Sequence, residues 1–155
     1  MDFIIQRFKS GKNLANPQLF SALNDVISEH HFDAIIPMPY HWRRLWRKGH
    51  SPTLELAHGL SKLADIPCVN GLRRIRWHPP QQGLSRAQRL ANVRGVFACH
   101  SVMHHYKNKH VLLVDDVLTT GATAESASVC LLRAGVASVS IACLARTPSK
   151  MITPP

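Results

Sequence analysis

Two adjacent carboxylates, Asp115 and Asp116, are the residues of this sequence best placed to do chemistry. They follow four apolar residues, Val111, Leu112, Leu113 and Val114, and precede Val117, Leu118 and a small hydroxyl-rich turn of Thr119, Thr120, Gly121, Ala122 and Thr123. The apolar run reads as a strand buried on both faces. The stretch AESASVCLLRAG that follows has helical character, so a strand ends in acid, passes through a small loop and enters a helix at its N-terminus. Backbone N–H groups left over at a helix start, together with the helix dipole, make such a junction a phosphate site. Three threonine hydroxyls add donors, and Gly121 lets the backbone come close to a ligand. The carboxylates could grip hydroxyls or a hydrated Mg²⁺. A sugar phosphate suits the set better than a bare phosphate. An ordinary buried strand with a polar turn explains VLLV but not DD followed by TTGAT, and the lysine of a Walker A loop is absent.

The chain of 155 residues has a formal net charge of +10, unevenly placed. Residues 66–114 contain no Asp or Glu but carry Arg73, Arg74, Arg76, Arg86, Arg89, Arg94, Lys107 and Lys109. Residues 34–54 are also free of acid and carry Arg43, Arg44, Arg47 and Lys48. Such fields attract a phosphate-dense small ligand or a nucleic acid, although a solvated basic surface accounts for some of them. Trp42, Trp46 and Trp77 lie among these arginines. They suit either stacking on single-stranded nucleic acid or anchoring of loops on the core.

The elements that must position the acid pair follow an alternating pattern. Asn16-Pro17 caps a helix that keeps apolar spacing through Leu19, Leu23, Val26 and Ile27 to about His30. FDAIIPM, residues 32–38, reads as the first core strand, and Pro37 and Pro39 give it an extended exit. Ser51-Pro52 starts a second helix whose apolar face is Leu54, Ala57, Leu60, Leu63 and Ala64, ended by Ile66-Pro67. Residues 68–72 form a short strand candidate. Ser85 and Gln88 form a capping box for a short helix to about Ala91, preceded by an aperiodic HPPQQG. Residues 96–99 form a further strand candidate, and HSVMHHYKNKH reads as a turn or hairpin. After the hydroxyl-rich turn, residues 124–133 are helical, stopped by Gly135, and residues 136–145 form another buried strand. Alternating strands and helices define an α/β fold with a largely parallel sheet, whose ligands bind at the carboxyl ends of the strands. The loops at 37–47 and 115–123 both belong there.

The cysteines, Cys68, Cys99, Cys130 and Cys143, form no CxxC pair, so neither a zinc site nor a disulfide framework is expected. His100, His104, His105 and His110 cluster, and His100 and His104 have i,i+4 spacing, but solvated histidines are the simpler reading of so polar a segment. Glu125 most simply stabilises a helix N-terminus. No apolar run reaches the ~18–20 residues of a membrane span, and the N-terminus lacks a signal-peptide pattern, so a cytoplasmic location without membrane insertion is expected.

VLLVDDVLTTGAT, residues 111–123, resembles the phosphoribosyl pyrophosphate (PRPP) signature of type I phosphoribosyltransferases. Together with PMPYHWRRLWRKGHSP and PQQGLSRAQRLANVRGVF, in that order and spacing, it makes the chain similar to the ComF/GntX family, which is associated with competence and DNA uptake. Two differences stand out. Members typically carry R-G-F-N-Q where this sequence has Lys48-Gly49-His50-Ser51-Pro52, and many carry an N-terminal zinc ribbon that this sequence does not contain.

The resemblance implies a type I phosphoribosyltransferase-like domain over residues 1–147 and a disordered tail over 148–155. It implies that Asp115 and Asp116 hold ribose hydroxyls, directly or through Mg²⁺. Thr119, Thr120, Gly121, Ala122 and Thr123 would cradle the 5′-phosphate. Pro39, Tyr40, Arg43 and Arg44 would form the pyrophosphate loop. Residues 82–89 would close over the site, with Arg86 and Arg89 sharing the catalytic role of the acid pair. The ligand would be PRPP or another ribose 5-phosphate compound, with Mg²⁺ as cofactor and no zinc. Two functions are compatible: phosphoribosyl transfer to an unidentified acceptor, or a non-catalytic PRPP-binding module acting with single-stranded DNA or DNA-processing proteins. A dimer is compatible with either.

Overall fold

The structure is a computed structural model and describes residues 3–5, 27, 29–39, 51–75, 95–118 and 121–146. Within them, β1 (Phe3–Ile5), β6 (Ser138–Arg146), β5 (His110–Leu118) and β2 (Ala34–Pro37) form one parallel sheet in that spatial order. Helix α1 (Pro52–Ala64) follows β2, and helix α2 (Ala122–Arg133) joins β5 to β6. A short antiparallel pair, β3 (Leu72–Arg74) with β4 (Phe97–Cys99), stands apart from the main sheet. The expected α/β architecture with a largely parallel sheet is therefore the observed one.

Parallel strands are covered on both faces, which is why VLLV is continuously apolar instead of alternating. The period of two still sorts its side chains. Val111 and Leu113, with Ala34 and Ile36 of β2, pack against α2 residues Ala124, Ala127 and Leu131. Leu112 and Val114, with Ile35, pack against α1 residues Leu56, Ala57 and Leu60 and against Ile27. Ala124, Ala127 and the buried Ser128 keep the contact face of α2 small, so its axis can lie close to the sheet; Ser128 Oγ donates to Ala124 O at 2.8 Å.

The caps match their residue types. Ser51 Oγ accepts the Leu54 N–H at 3.3 Å, with Pro52 opening the helix as expected. Helix α1 ends on Asp65, in the left-handed region at φ 54°, with the Ile66 N–H returned to Ser61 O. Helix α2 ends in Ala134 and Gly135 (φ 99°). The Gly135 N–H bonds Leu132 O and the Val136 N–H bonds Leu131 O, which is the Schellman pattern.

Four expectations need correction. The buried face of α1 is Thr53, Leu56, Ala57 and Leu60, whereas Leu63 is exposed and Leu54 only partly covered. Strand character near residue 68 amounts to a single parallel bridge between Cys68 and Ile35, and the paired strand begins at Leu72. Residues Ser101–Tyr106 form a 3₁₀ helix, not a hairpin, pinned by the buried Met103. A three-residue edge strand, β1, occurs where only a run of apolar residues was evident. The helix expected to start at Asn16-Pro17 lies outside the described residues except for Ile27, which is helical and buried, and residues 29–30, which have left the helix.

Candidate functional site

Strands β2 and β5 are neighbours with Pro37 opposite Val114, and the Met38 N–H continues the pairing to Val114 O at 2.8 Å. The chain leaving β2 next forms α1, on one face of the sheet. The chain leaving β5 forms α2, on the other. Connections departing to opposite faces from adjacent strands open a crevice at the carboxyl edge, the usual ligand position in such sheets. Pro37 is tolerated here because Met38 points its N–H at β5. The missing Pro37 N–H belongs to the opposite side, beyond the Ile35 bridge to residues 67–69. Pro39 and the pair Asp115–Asp116 thus emerge side by side at the crevice.

Strand β5 does not end at the acid pair. It stays in register with β6 through Asp115↔Cys143 and Val117↔Ala145 to Leu118↔Arg146, because β6 is equally long and supplies partners to the end. Each carboxylate also binds the next peptide: Asp115 Oδ1 accepts the Asp116 N–H and Asp116 Oδ1 the Val117 N–H, both at 2.9 Å. Both side chains are partly exposed. Leu118, which strict alternation would send to the α1 side, packs in the α2 cluster instead. The strand therefore turns as it leaves the sheet, and Val117 is left 46% exposed beside the carboxylates. Sequence reasoning passed over Val117 because a valine after a buried strand looks like more core.

Gly121 begins α2 with φ 76°, and the first helical bond runs from the Glu125 N–H to Gly121 O at 2.8 Å. Ala122 and Thr123 thus belong to the first helical turn and not to the preceding loop, two residues earlier than the sequence suggested. The N-cap position of α2 is Gly121, which has no side chain to cap with, in contrast to α1, where Ser51 occupies that position. The leading N–H groups of α2 therefore have no partner within the helix and lie just beyond the acid pair. Ala122 is buried, while Gly121 and Thr123 are partly exposed.

Among the described residues, Pro39 follows the carboxyl end of β2, Asp115 and Asp116 lie in the last part of β5, and Gly121, Ala122 and Thr123 open the helix that follows β5. Thr119, Thr120, Tyr40, Arg43, Arg44, Arg86 and Arg89 lie outside the described residues, as do Trp42, Trp46 and Trp77 and the tail at 148–155. The segment 76–94, which contains Arg86 and Arg89, leaves and rejoins the β3–β4 pair where the Ile75 N–H bonds Val96 O at 2.8 Å. The Arg74 guanidinium lies 5.8 Å from the Phe97 ring centroid, a cation–π contact at the root of that segment. His100, His104, His105 and His110 are exposed, and among the described residues no group of three or more His, Cys, Asp or Glu could hold a metal. A hard cation at the crevice would therefore take at most the two aspartates from the described chain and the rest of its oxygen shell from ligand and water, a donor set that Mg²⁺ accepts.

At the opposite edge of the sheet the charged groups serve the fold. Asp33 Oδ2 accepts the His110 N–H at 2.8 Å, and Asp33 Oδ1 lies 3.1 Å from Lys109 Nζ. The His110 N–H, aided by Lys109, holds the Asp33 carboxyl below its ordinary value.

Comparison with known proteins agrees with this geometry. The phosphoribosyl transferase domain family matches residues 48–154. Competence protein F of Haemophilus influenzae is 33% identical over 156 aligned positions, covering 94% of this chain and 68% of that protein. The DNA utilization protein YhgH of Escherichia coli K12 is 33% identical over 116 positions, covering 74% of this chain and 50% of YhgH, so the chain spans half the length of that relative. Among solved structures, the purine phosphoribosyltransferase of Pyrococcus horikoshii superposes with a TM-score of 0.55 at 24% identity, covering 88% of this chain and 76% of that one. The chain belongs to the phosphoribosyl transferase domain family, in the ComF group that competence protein F represents. Among the described residues no helix is long and apolar enough to cross a membrane.

Proposed function

We propose that this chain binds PRPP in the crevice between β2 and β5 and transfers its phosphoribosyl group to an acceptor. The observation that carries the reading is that α2 opens on Gly121, at positive φ and with no capping side chain of its own, shortly after the strand that carries the paired carboxylates. PRPP places anions at both ends of a ribose, so its site needs hydroxyl acceptors flanked by two anion cradles. Asp115 and Asp116 supply the acceptors. The first turn of α2 cradles the 5′-phosphate, with Thr119 and Thr120 adding hydroxyls. The chain leaving β2 through Pro39, with Tyr40, Arg43 and Arg44, meets the pyrophosphate, for which arginine offers a planar fork of donors.

The reaction breaks the bond between the anomeric carbon and pyrophosphate and forms one from that carbon to the acceptor. Positive charge develops on the ribose in between. The aspartates hold the sugar in place while the arginines neutralise the departing anion, so positioning and electrostatics carry the rate. Arg86 and Arg89 sit in the segment that would cover the site and exclude water. Mg²⁺, when held through Asp115 and Asp116, would supply further neutralisation of the pyrophosphate.

The names of the relatives, competence and DNA utilization, support a second reading: the same pocket serves as a non-catalytic module acting with single-stranded DNA or DNA-processing proteins. The acid-free stretch at 66–114 suits that partner. Incubation with PRPP, Mg²⁺ and a panel of nucleobases, followed by assay of pyrophosphate, separates the two. Release dependent on one base supports transfer; PRPP binding without release from any base rules transfer to a nucleobase out. Salt-sensitive retention of single-stranded DNA near physiological salt supports the second reading, and its absence counts against it.

A further inference from the structure

Cys99 closes β4 and Cys130 lies in the second half of α2, and their sulfurs are 3.4 Å apart. Each faces a weak carbonyl partner: Cys130 O lies 3.5 Å from Cys99 Sγ, and Phe97 O lies 3.5 Å from Cys130 Sγ. These contacts hold the sulfurs side by side without a strong competing bond. Both residues are only partly buried. By contrast Cys143 is buried in β6, and Cys68 packs on the opposite face of the sheet. A disulfide needs its sulfurs about 2.05 Å apart, and this pair already stands in van der Waals contact.

We propose that Cys99 and Cys130 form a reversible disulfide on exposure to hydrogen peroxide, tying β4 to α2. The geometry assigns this role to them and to neither of the other cysteines. Burial, and then the hydrogen bond and charge of Cys130, push the Cys99 thiol up to about 12. One sulfur of the pair attacks one peroxide oxygen, the O–O bond breaks, and water leaves as that cysteine becomes a sulfenic acid. The other sulfur then attacks it, the S–S bond forms, the S–O bond breaks, and a second water leaves. Two thiols lose two electrons and two protons, and one peroxide becomes two waters. The bond joins the strand pair bordering residues 76–94 to the helix whose first turn faces the crevice, and it does not depend on what the crevice binds.

The full chain is exposed to dilute peroxide, quenched with N-ethylmaleimide and analysed by intact mass and peptide mapping. The expected result is a loss of two maleimide adducts, a crosslinked peptide joining residues 99 and 130, and reversal by dithiothreitol. The thermal midpoint should rise on the order of 10 °C, because the link closes a loop between residues 31 apart in sequence. In Cys99→Ser and Cys130→Ser the crosslink should be absent, with a dimedone-reactive sulfenic acid accumulating on the remaining cysteine of the pair in at least one variant. Full maleimide labelling of the wild type after peroxide, or a crosslink through Cys68 or Cys143, would overturn the proposal.

Discussion

Replacing Gly121 by alanine separates the two tasks of this residue, which are to start α2 and to leave its first N–H groups open. Among the described residues, an added Cβ would meet Leu118 Cδ2 at 3.9 Å, an ordinary van der Waals contact. The cost of Gly121→Ala is thus conformational: an L-residue held at φ 76° loses about 1–2 kcal/mol. Relaxing that strain would rotate the first peptides of α2, whose N–H groups face the 5′-phosphate in the proposed site. Loss of one charge-assisted hydrogen bond is worth about 1.5–3 kcal/mol, or roughly a 10- to 100-fold weakening. Gly135, at the far end of the same helix, is the control. It has φ 99° and its Cβ would press on Lys107 Cγ at 3.1 Å, so Gly135→Ala should cost at least as much stability while leaving the crevice untouched. Urea denaturation reports the stabilities and titration calorimetry with PRPP and Mg²⁺ reports binding. Equal stability losses with a binding defect confined to Gly121→Ala support the cradle. A Gly121→Ala variant that binds as tightly as Gly135→Ala refutes it.

Further predictions concern the scaffold. Gly71→Ala should cost about 1–3 kcal/mol, because a Cβ there collides with the Met103 side chain, which is buried at 1% exposure and must repack within the core; the check is a lower urea midpoint with unchanged slope. Thr53 Oγ1 is buried with no hydrogen-bond partner, so Thr53→Val should be neutral or stabilising by up to about 1 kcal/mol, and a loss beyond that would show the hydroxyl to be engaged. Asp33 has a lowered pKa, so its contribution is present above the ordinary value of 3.8 and is lost as the pH falls through the lowered one. Asp33→Asn should cost about 0.2–1 kcal/mol at neutral pH, given the partial exposure of the Lys109 pair. Its gap from the wild type should close in acid unfolding below pH 3.8, and a gap that persists there would contradict the charge account.

Much of the site region was legible because its residues leave few alternatives. A continuous apolar run can be only a core element, Ser51-Pro52 can hardly be anything but a helix start, and Gly135 sits where a helix must stop. The misreadings have physical causes. Aspartate is a poor strand residue, so the sequence alone points to a strand end at Val114, yet pairing with the equally long β6 carries β5 through both acids to Leu118. The buried stripe of α1 includes a threonine, and this hid it behind the alternative stripe through Leu54 and Leu63. β1 is three apolar residues whose strand state depends wholly on the edge of β6. The 3₁₀ helix Ser101–Tyr106 has one buried anchor, Met103, and so no period to read. Val117 stands out only once the strand is seen to turn.

If the acid pair of β5 and the first turn of α2 form one PRPP site, titration calorimetry of PRPP with Mg²⁺ should separate the wild type from the Asp115→Asn/Asp116→Asn double variant. The wild type should bind saturably and the variant about 100- to 10,000-fold more weakly, from two charge-assisted hydrogen bonds, with urea midpoints close to one another. Equal affinity in the two proteins would contradict it.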